Sequence, residues 1–383
     1  MRTIGVVTVG RSDYGIYLPI LKAIQAEPDL RLLLYVSGMH LSPEFGSPAS
    51  AIEDDGFEIN ERVEMLLASD TPEAVAKSMG LGTIGFAQAY ARQRPDILLV
   101  LGDRFEMHAA VVAAVPLRIP VAHIHGGELS EGAIDDALRH SITKMSQLHF
   151  VATESYAQRV IQMGEEPWRV VVSGAPSLDN LKMIDALSRS ELEQKFGLNL
   201  PETFLLVTYH PATLEYEDTE AQMCELLKAL DSLRLSVVFT YPNADMGGRL
   251  IIRLIEQFAN QHETAQIVMN LGTRAYFSIM RLAAAMLGNS SSGIIEAASF
   301  KLPVVNIGNR QRGRLRARNV IDVGYSQAEI SIGIKRAIQP EFRAELADLV
   351  NPYGDGGAAA RIIQALRVIE LDDKLLLKHF YGN

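Results

Sequence analysis

Short apolar runs alternate with longer amphipathic stretches from the first residues of this sequence, the pattern produced by parallel strands linked by helices. The runs predict strands at residues 3–9, 31–36, 57–63, 97–101, 120–124, 148–152 and 169–173. Gly174-Ala175-Pro176-Ser177 then interrupts the alternation, and a polar, charged stretch covers 188–202. A second series follows at 204–209, 235–241, 266–270, 284–288 and 303–307. The fold class expected is therefore α/β, with two doubly wound, Rossmann-like domains at 1–174 and 175–360 facing a central cleft. A long helical pattern over 358–377 is expected to cross back, so that 361–383 packs on the first domain. No repeat or low-complexity tract is present, which removes solenoids and disordered arrays.

Composition narrows the function classes. At 383 residues and 48% hydrophobic content the chain can fill two cores. A net charge of -10 opposes general nucleic-acid binding, so any anionic ligand must meet local positive charge. One cysteine, Cys224, suits a reducing compartment. The apolar run after Met1-Arg2-Thr3 is too short for a signal peptide, and no apolar stretch reaches bilayer length. A cytoplasmic protein with neither nucleic-acid nor membrane partners is expected.

The polar residues concentrate where predicted strands end, the place where open α/β sheets bind ligands. Gly288-Asn289-Ser290-Ser291-Ser292-Gly293 joins a strand to a helix through small hydroxylated residues and leads to Glu296. Helix-start amides and serine hydroxyls suit a phosphate, and a carboxylate one turn on suits sugar hydroxyls. A serine-capped helix start without a ligand is the alternative. Arg11-Ser12-Asp13-Tyr14-Gly15 follows the first strand without a G-x-G-x-x-G fingerprint, which removes the dehydrogenase reading. Arg11 can clamp a diphosphate there, while Asp13 favours the helix N-terminus.

Asp103-Arg104 ends the apolar strand 97–101, where the carboxylate can act as a base, the alternative being a salt bridge that caps the next helix. His123 and His125 lie two apart on a strand, on one face, with Glu128 following. This trio suits acid–base work near neutral pH or, with one more ligand, zinc, and a lone histidine here equally suits a structural residue with its hydrogen bonds satisfied. His108, His140 and His149 are near in sequence. Arginines at 310, 312, 314, 316 and 318 would form one basic face in an extended strand. Arg310, nearest the preceding strand end, is the candidate for phosphate, and the later three equally suit a solvated loop or an oligomer contact.

Taken together, these residues resemble the hydrolysing UDP-N-acetylglucosamine 2-epimerases of sialic- and legionaminic-acid-type sugar biosynthesis. The resemblance runs through Arg11-Ser12-Asp13-Tyr14-Gly15, Ser37-Gly38-Met39-His40, Leu101-Gly102-Asp103-Arg104, His123-Ile124-His125-Gly126-Gly127-Glu128, Ile134-Asp135-Asp136, Arg139-His140-Ser141-Ile142-Thr143-Lys144, Tyr209-His210-Pro211, Pro242-Asn243, the 288–296 turn and Asn306-Ile307-Gly308-Asn309-Arg310-Gln311. It implies the glycosyltransferase-B architecture, no metal, no cofactor, and a homodimer or homotetramer. By position, Arg11, His210, Asn243, Ser290, Ser291, Glu296 and Arg310 are similar to residues that hold the nucleotide diphosphate, Glu296 on the ribose, with Arg104 a further contact and Asp13 beside Arg11. Asp103 and Asp135 match catalytic carboxylates, His149 a functional histidine, and His210 stands with both groups. Many members carry a carboxylate where this chain has His125, and Glu128 follows three residues later. One extra residue also precedes Ile134. Asp103 ranks first among acid–base candidates, with His125 or Asp135 second.

The reaction this resemblance implies is an anti elimination to a 2-acetamidoglycal, followed by hydration with inverted configuration at carbon 2. The nucleotide sugar is UDP-N-acetylglucosamine, its 4-acetamido-4,6-dideoxy relative, or a GDP-linked sugar. A glycosyltransferase of the same architecture, a noncatalytic nucleotide-sugar binder and a metal hydrolase are the rival readings.

Overall fold

A computed structural model describes residues 1–42, 49–69, 71–242 and 247–382. Among these the strands form two parallel sheets, one of seven strands and one of six. The first comprises β1 (Arg2–Thr8), β2 (Leu30–Ser37), β3 (Glu61–Val63), β4 (Ile97–Leu101), β5 (Val121–Ile124), β6 (Leu148–Val151) and β7 (Val170–Val172), in the order β3-β2-β1-β4-β5-β6-β7. The second comprises β8 (Leu205–Thr208), β9 (Val237–Thr240), β10 (Ala265–Val268), β11 (Ala285–Gly288), β12 (Val304–Ile307) and β13 (Val320–Val323), in the order β10-β9-β8-β11-β12-β13.

Each order reverses direction once, beside β1 in one sheet and β8 in the other, so each sheet has a switch point where a ligand crevice forms. Central strands are buried on both faces, which is why β4 shows unbroken burial through Ile97-Leu98-Leu99-Val100-Leu101. Ile4 marks the register, pairing with Leu32 of β2 and with Ile97 of β4. The second sheet buries Leu205, Val207, Phe239, Leu287 and Val305 against Met223, Leu226 and Ile330 of its helices. Each such apolar side chain contributes about 1.5–3 kcal/mol by leaving water.

One expected strand is shorter and one observed strand was not expected. The run at 57–63 narrows to Glu61–Val63, and β13 lacks a clear signal because Val-Ile-Asp-Val is short and follows an arginine-rich segment. Two compact units result: Met1–Glu128 with Asp135–Met183 and Tyr353–Asn383, and Leu129–Ile134 with Ile184–Pro352. The first unit continues through Met183 because the short turns Pro176–Asp179 and Asn180–Met183 pack on the helix Arg11–Ala26, where the Asn180 amide donates to the Gly15 carbonyl at 2.8 Å.

The helical pattern over 358–377 becomes two helices, Ala358–Val368 and Asp373–Leu376, both in the first unit. Arg169, fully buried, fastens the second. Its guanidinium donates to the carbonyls of Lys374 and Leu375 at 2.8 Å and of Leu377 at 2.9 Å, and pairs with Glu166 at 2.8 Å. No helix among the described residues is long and apolar enough to cross a membrane.

Replacing Arg169 with methionine keeps the volume but leaves these carbonyls without donors. A loss of about 2–4 kcal/mol in urea unfolding is expected, with faster amide exchange over residues 373–378. Unchanged exchange there would show that the arginine does not fasten this segment.

Candidate active site

In the first unit, chemistry gathers at the carboxyl ends of β4 and β5. The Gly102 amide donates to the Ile124 carbonyl at 2.9 Å and carries the ladder to the strand end, after which Asp103 and Arg104 emerge. Arg104 caps the helix Phe105–Ala114 and lays its guanidinium on the buried Glu106 carboxylate, with both contacts at 3.1 Å. Asp103 turns instead to Arg139 of the helix Asp135–Met145, whose Nη2 donates to Oδ2. Arg139 is only 1% exposed. Its Nη1 donates to the His125 carbonyl at 2.8 Å and lies 3.6 Å from Glu128 Oε2. Glu128 Oε1 in turn accepts from His125 Nδ1 at 2.5 Å.

One buried guanidinium thus ties together Asp103, His125 and Glu128. Glu128 holds the imidazole through Nδ1 and leaves Nε2, which has no hydrogen-bond partner among the described residues, uncommitted. The combination of a carboxylate and an oriented imidazole can take a proton from one position and return one at another.

The expected sharing of one strand face by His123 and His125 does not hold. β5 ends at Ile124, and His125 adopts φ 64, a left-handed conformation that redirects its side chain. Gly127, at φ 76, follows; a Cβ there would meet the Tyr156 carbonyl oxygen at 2.5 Å. His123 stays buried, donating from Nε2 to the Gly102 carbonyl at 2.7 Å and accepting at Nδ1 from Thr143 at 3.2 Å. Burial pushes its pKa down to about 3. With both nitrogens engaged, His123 is not available as the second imidazole of a metal site. It steadies the backbone that carries Asp103.

His149 on β6 pairs in register with His123 and is fully buried, with Nε2 3.0 Å from Glu165 Oε2; burial lowers its pKa. Asp135 opens the helix Asp135–Met145, and the next residue, Asp136, lies 3.5 Å from His140.

At the end of β1, Asp13 accepts from the amides of Val9 and Gly10 at 2.8 and 2.6 Å and from the Thr8 hydroxyl at 2.8 Å. It therefore shapes the turn that presents Arg11, and burial pushes its pKa up to about 6 against those bonds. Thr8 also meets His40 Nε2 at 2.9 Å. Burial, with Arg11 adding to it, pushes His40 down to about 4, and burial lowers the pKa of Arg11 as well.

In the second unit the serine turn is built as a knot of short contacts. Gly288 has φ 125, and a Cβ would sit 2.0 Å from the Thr208 carbonyl, so only glycine lets β11 pass β8 this closely. The Asn289 side chain then clips the neighbouring strand end, accepting from the His210 amide at 2.7 Å and donating to its carbonyl at 2.8 Å. The Asn289 carbonyl in turn accepts from Arg310 at 3.1 Å and from the Gln311 amide at 2.8 Å. Ser290 caps the helix Ser291–Ile295 from outside, its hydroxyl accepting from the Ser292 amide. Hydroxyls of Ser290 and Ser292 lie 2.9 Å apart, and Tyr276 reaches Ser292 at 2.6 Å. Glu296 follows, buried. His210, Ser290, Ser291, Glu296 and Arg310 therefore share one corner of this unit. Asn243 lies outside the described residues.

The arginine run is not an extended strand. Residues 308–314 form turns, and each later arginine has its own partner. Arg312 meets Glu131 at 3.1 Å, Arg316 meets Asp322 at 2.9 Å, Arg318 pairs with Asp348, and Arg314 donates to the Leu129 carbonyl at 3.2 Å. Sequence reasoning named no role for Arg139, Asn289, Tyr276 or Glu165. Arg139 and Asn289 stood within the quoted motifs, and a buried arginine facing two acidic segments was the available signal.

Fold and site together define a two-unit parallel α/β protein with an acid–base network in one unit and a hydroxyl-rich strand-end turn in the other. A family model described as UDP-N-acetylglucosamine 2-epimerase matches residues 22–367. The GDP/UDP-N,N'-diacetylbacillosamine 2-epimerase (hydrolyzing) of Campylobacter jejuni is 42% identical over 324 residues, 84% of each chain. The UDP-N,N'-diacetylbacillosamine 2-epimerase (hydrolyzing) of Legionella pneumophila is 38% identical over 379 residues, 99% of each. The crystal structure of UDP-GlcNAc 2-epimerase from Neisseria meningitidis bound to UDP-GlcNAc shares the fold, with a TM-score of 0.81 at 18% identity, covering 96% of this chain and 100% of that one. The chain belongs to the UDP-N-acetylglucosamine 2-epimerase family.

The buried imidazoles make stability fall with acid. His40 and His123 have folded pKa values of about 4 and 3 against an ordinary 6.5, so below pH 6.5 the unfolded chain takes up protons that the folded chain refuses. Asp13, raised from 3.8 to about 6, opposes them by stabilising the fold as pH drops below 6. The net expectation is a loss of about 2 kcal/mol between pH 7 and pH 5. Urea unfolding at the two pH values checks it, and an equal or higher midpoint at pH 5 would contradict it.

Proposed function

We propose that the protein is a hydrolysing 2-epimerase that releases UDP from a UDP-linked 2-acetamido sugar and yields the free manno-configured sugar. The N,N'-diacetylbacillosamine derivative, a 4-acetamido-4,6-dideoxy relative of UDP-N-acetylglucosamine, is the preferred donor. The observation that carries this reading is the Arg139-centred network: a nucleotide-sugar binder needs no buried arginine holding one carboxylate beside an oriented imidazole. Support for the donor comes from the two hydrolyzing relatives at 42% and 38% identity, both named for N,N'-diacetylbacillosamine.

In this reading the proton on carbon 2 passes to a base as the carbon 1–oxygen bond breaks, and its electron pair leaves with the diphosphate. Water then adds across the glycal double bond, its hydroxyl to carbon 1 and a proton to the opposite face of carbon 2. Asp103 and His125 are the acid–base pair, with Asp103 first as base and Glu128 holding the ring of His125. Asp135 is the further carboxylate, and His149 steadies the strand beside His123. Arg11, Arg104, Arg310, Ser290, Ser291, His210 and Asn243 take the nucleotide diphosphate, with Asp13 shaping the Arg11 turn and Glu296 on the ribose. Donors preset around the departing diphosphate stabilise its growing charge without reorganising.

Incubation in deuterium oxide with UDP-N,N'-diacetylbacillosamine and, separately, with UDP-N-acetylglucosamine tests the proposal. Free UDP and a manno-configured product with deuterium at carbon 2 are expected, faster from the first donor. UDP release only when a sugar acceptor is added would instead support a glycosyltransferase. Asp103→Asn is expected to keep UDP affinity within a few fold by calorimetry and to lose about 10²–10⁴ in turnover; unchanged turnover would remove Asp103 from the chemistry.

A further inference from the structure

Glu165 is a fully buried carboxylate that the proposed chemistry does not use. It gathers three partners: Lys144 Nζ at 2.6 Å, Lys378 Nζ at 2.7 Å and His149 Nε2 at 3.0 Å. Burial alone would raise its pKa, yet the bonds from His149, Lys144 and Lys378 bring it down to about 2, so it stays ionised.

Lys378 does more than balance this charge. The same ammonium donates to the carbonyl oxygens of Lys144 at 2.8 Å and Ser146 at 2.6 Å. Those carbonyls lie at the C-terminal end of the helix Asp135–Met145, where the last carbonyls lack intrahelical partners and a cation is favoured. The segment around Lys378 is itself pinned. Arg169 holds the Leu377 carbonyl, the Tyr381 amide donates to the Gly164 carbonyl at 2.9 Å, and the Phe380 ring lies 5.5 Å from Lys144 Nζ.

Two routes lead from this cluster to the acid–base network, both within the first unit. Along the helix, the turns preceding Lys144 carry Arg139, which holds Asp103 and the His125 carbonyl. Across the sheet, His149 pairs with His123, which holds the carbonyl of Gly102, the residue before Asp103.

The geometry points to Lys378 as a positioning residue for catalysis: by capping the helix Asp135–Met145 and completing the Glu165 cluster, it sets where Arg139 holds Asp103. This rests on the proposed function for its kinetic consequence but not for its structural one. Lys378 is not among the residues proposed to hold the substrate. Its loss acts on turnover and leaves nucleotide affinity, which the proposed function assigns to Arg11, Arg104, Arg310, His210 and the serine turn, within twofold. Arginine can supply donors to the same carboxylate and carbonyls, whereas methionine fills the volume and supplies none.

Lys378→Met and Lys378→Arg are compared with the wild type by steady-state kinetics on UDP-N,N'-diacetylbacillosamine and UDP-N-acetylglucosamine, by calorimetry with UDP, and by amide hydrogen exchange over 139–146. Lys378→Met is expected to lower kcat at least tenfold, to keep the UDP dissociation constant within twofold, and to speed exchange in the last turn of the helix. Lys378→Arg should stay within about threefold of wild type in all three. Wild-type kcat in Lys378→Met, or a tenfold loss of UDP affinity matching the loss of kcat, would overturn the positioning role. A wild type that releases UDP from neither donor would sink the proposed function instead. Exchange would then still decide the capping role, because unchanged protection over 139–146 in Lys378→Met overturns it without reference to activity. Should Lys378→Met fail to fold, Lys378→Gln, which keeps one donor group, carries the same comparison.

Discussion

The pairing of the buried Arg139 with Asp103 is the interaction on which the polar network of the first unit depends. A guanidinium out of water is tolerated only where acceptors surround it, and here they are the Asp103 carboxylate, the Glu128 carboxylate and the His125 carbonyl. Because a guanidinium is planar with fixed donors, satisfying it also fixes the angles of those that accept from it. Asp103 and His125 come from different strand ends. Arg139 makes them one unit, and Glu128 then sets which imidazole nitrogen is engaged and which is not.

That arrangement makes demands on its surroundings. His123 is kept neutral by burial and spends both nitrogens on holding Gly102 and Thr143, a structural use of a residue type suited to catalysis. Asp13 likewise spends its carboxylate on the backbone of Val9 and Gly10, which shapes the turn bearing Arg11. In the second unit Asn289 plays the comparable part, clipping His210 on one side while its carbonyl accepts from Arg310 and Gln311 on the other. Around the strand-end groups of each unit stand polar residues whose hydrogen bonds are already committed.

Much of this was readable from the sequence, and what was not has physical causes. The strand series followed from apolar runs because central parallel strands are buried on both faces. Only β13, short and beside an arginine-rich turn, lacked that signal. The strand-end residues were readable because polar groups concentrated after apolar runs need a reason. The left-handed His125 was not, since two-residue spacing predicts one face only while the chain stays extended. Alternation misled in the same way for arginines 310–318, which turns distribute among separate acidic and carbonyl partners. Partners remote in the chain, such as Arg139 with Asp103 across 36 residues or Lys378 with Glu165, leave no local pattern at all.

The most direct test of the central claim is a double-mutant cycle on turnover with Asp103→Asn and Arg139→Gln, singly and together, with UDP affinity measured alongside. If Arg139 acts by holding Asp103, the double variant is about as slow as the slower single variant, while UDP affinity stays within a few fold. Losses that simply multiply would contradict the account, because they would mean that the two residues serve the reaction independently.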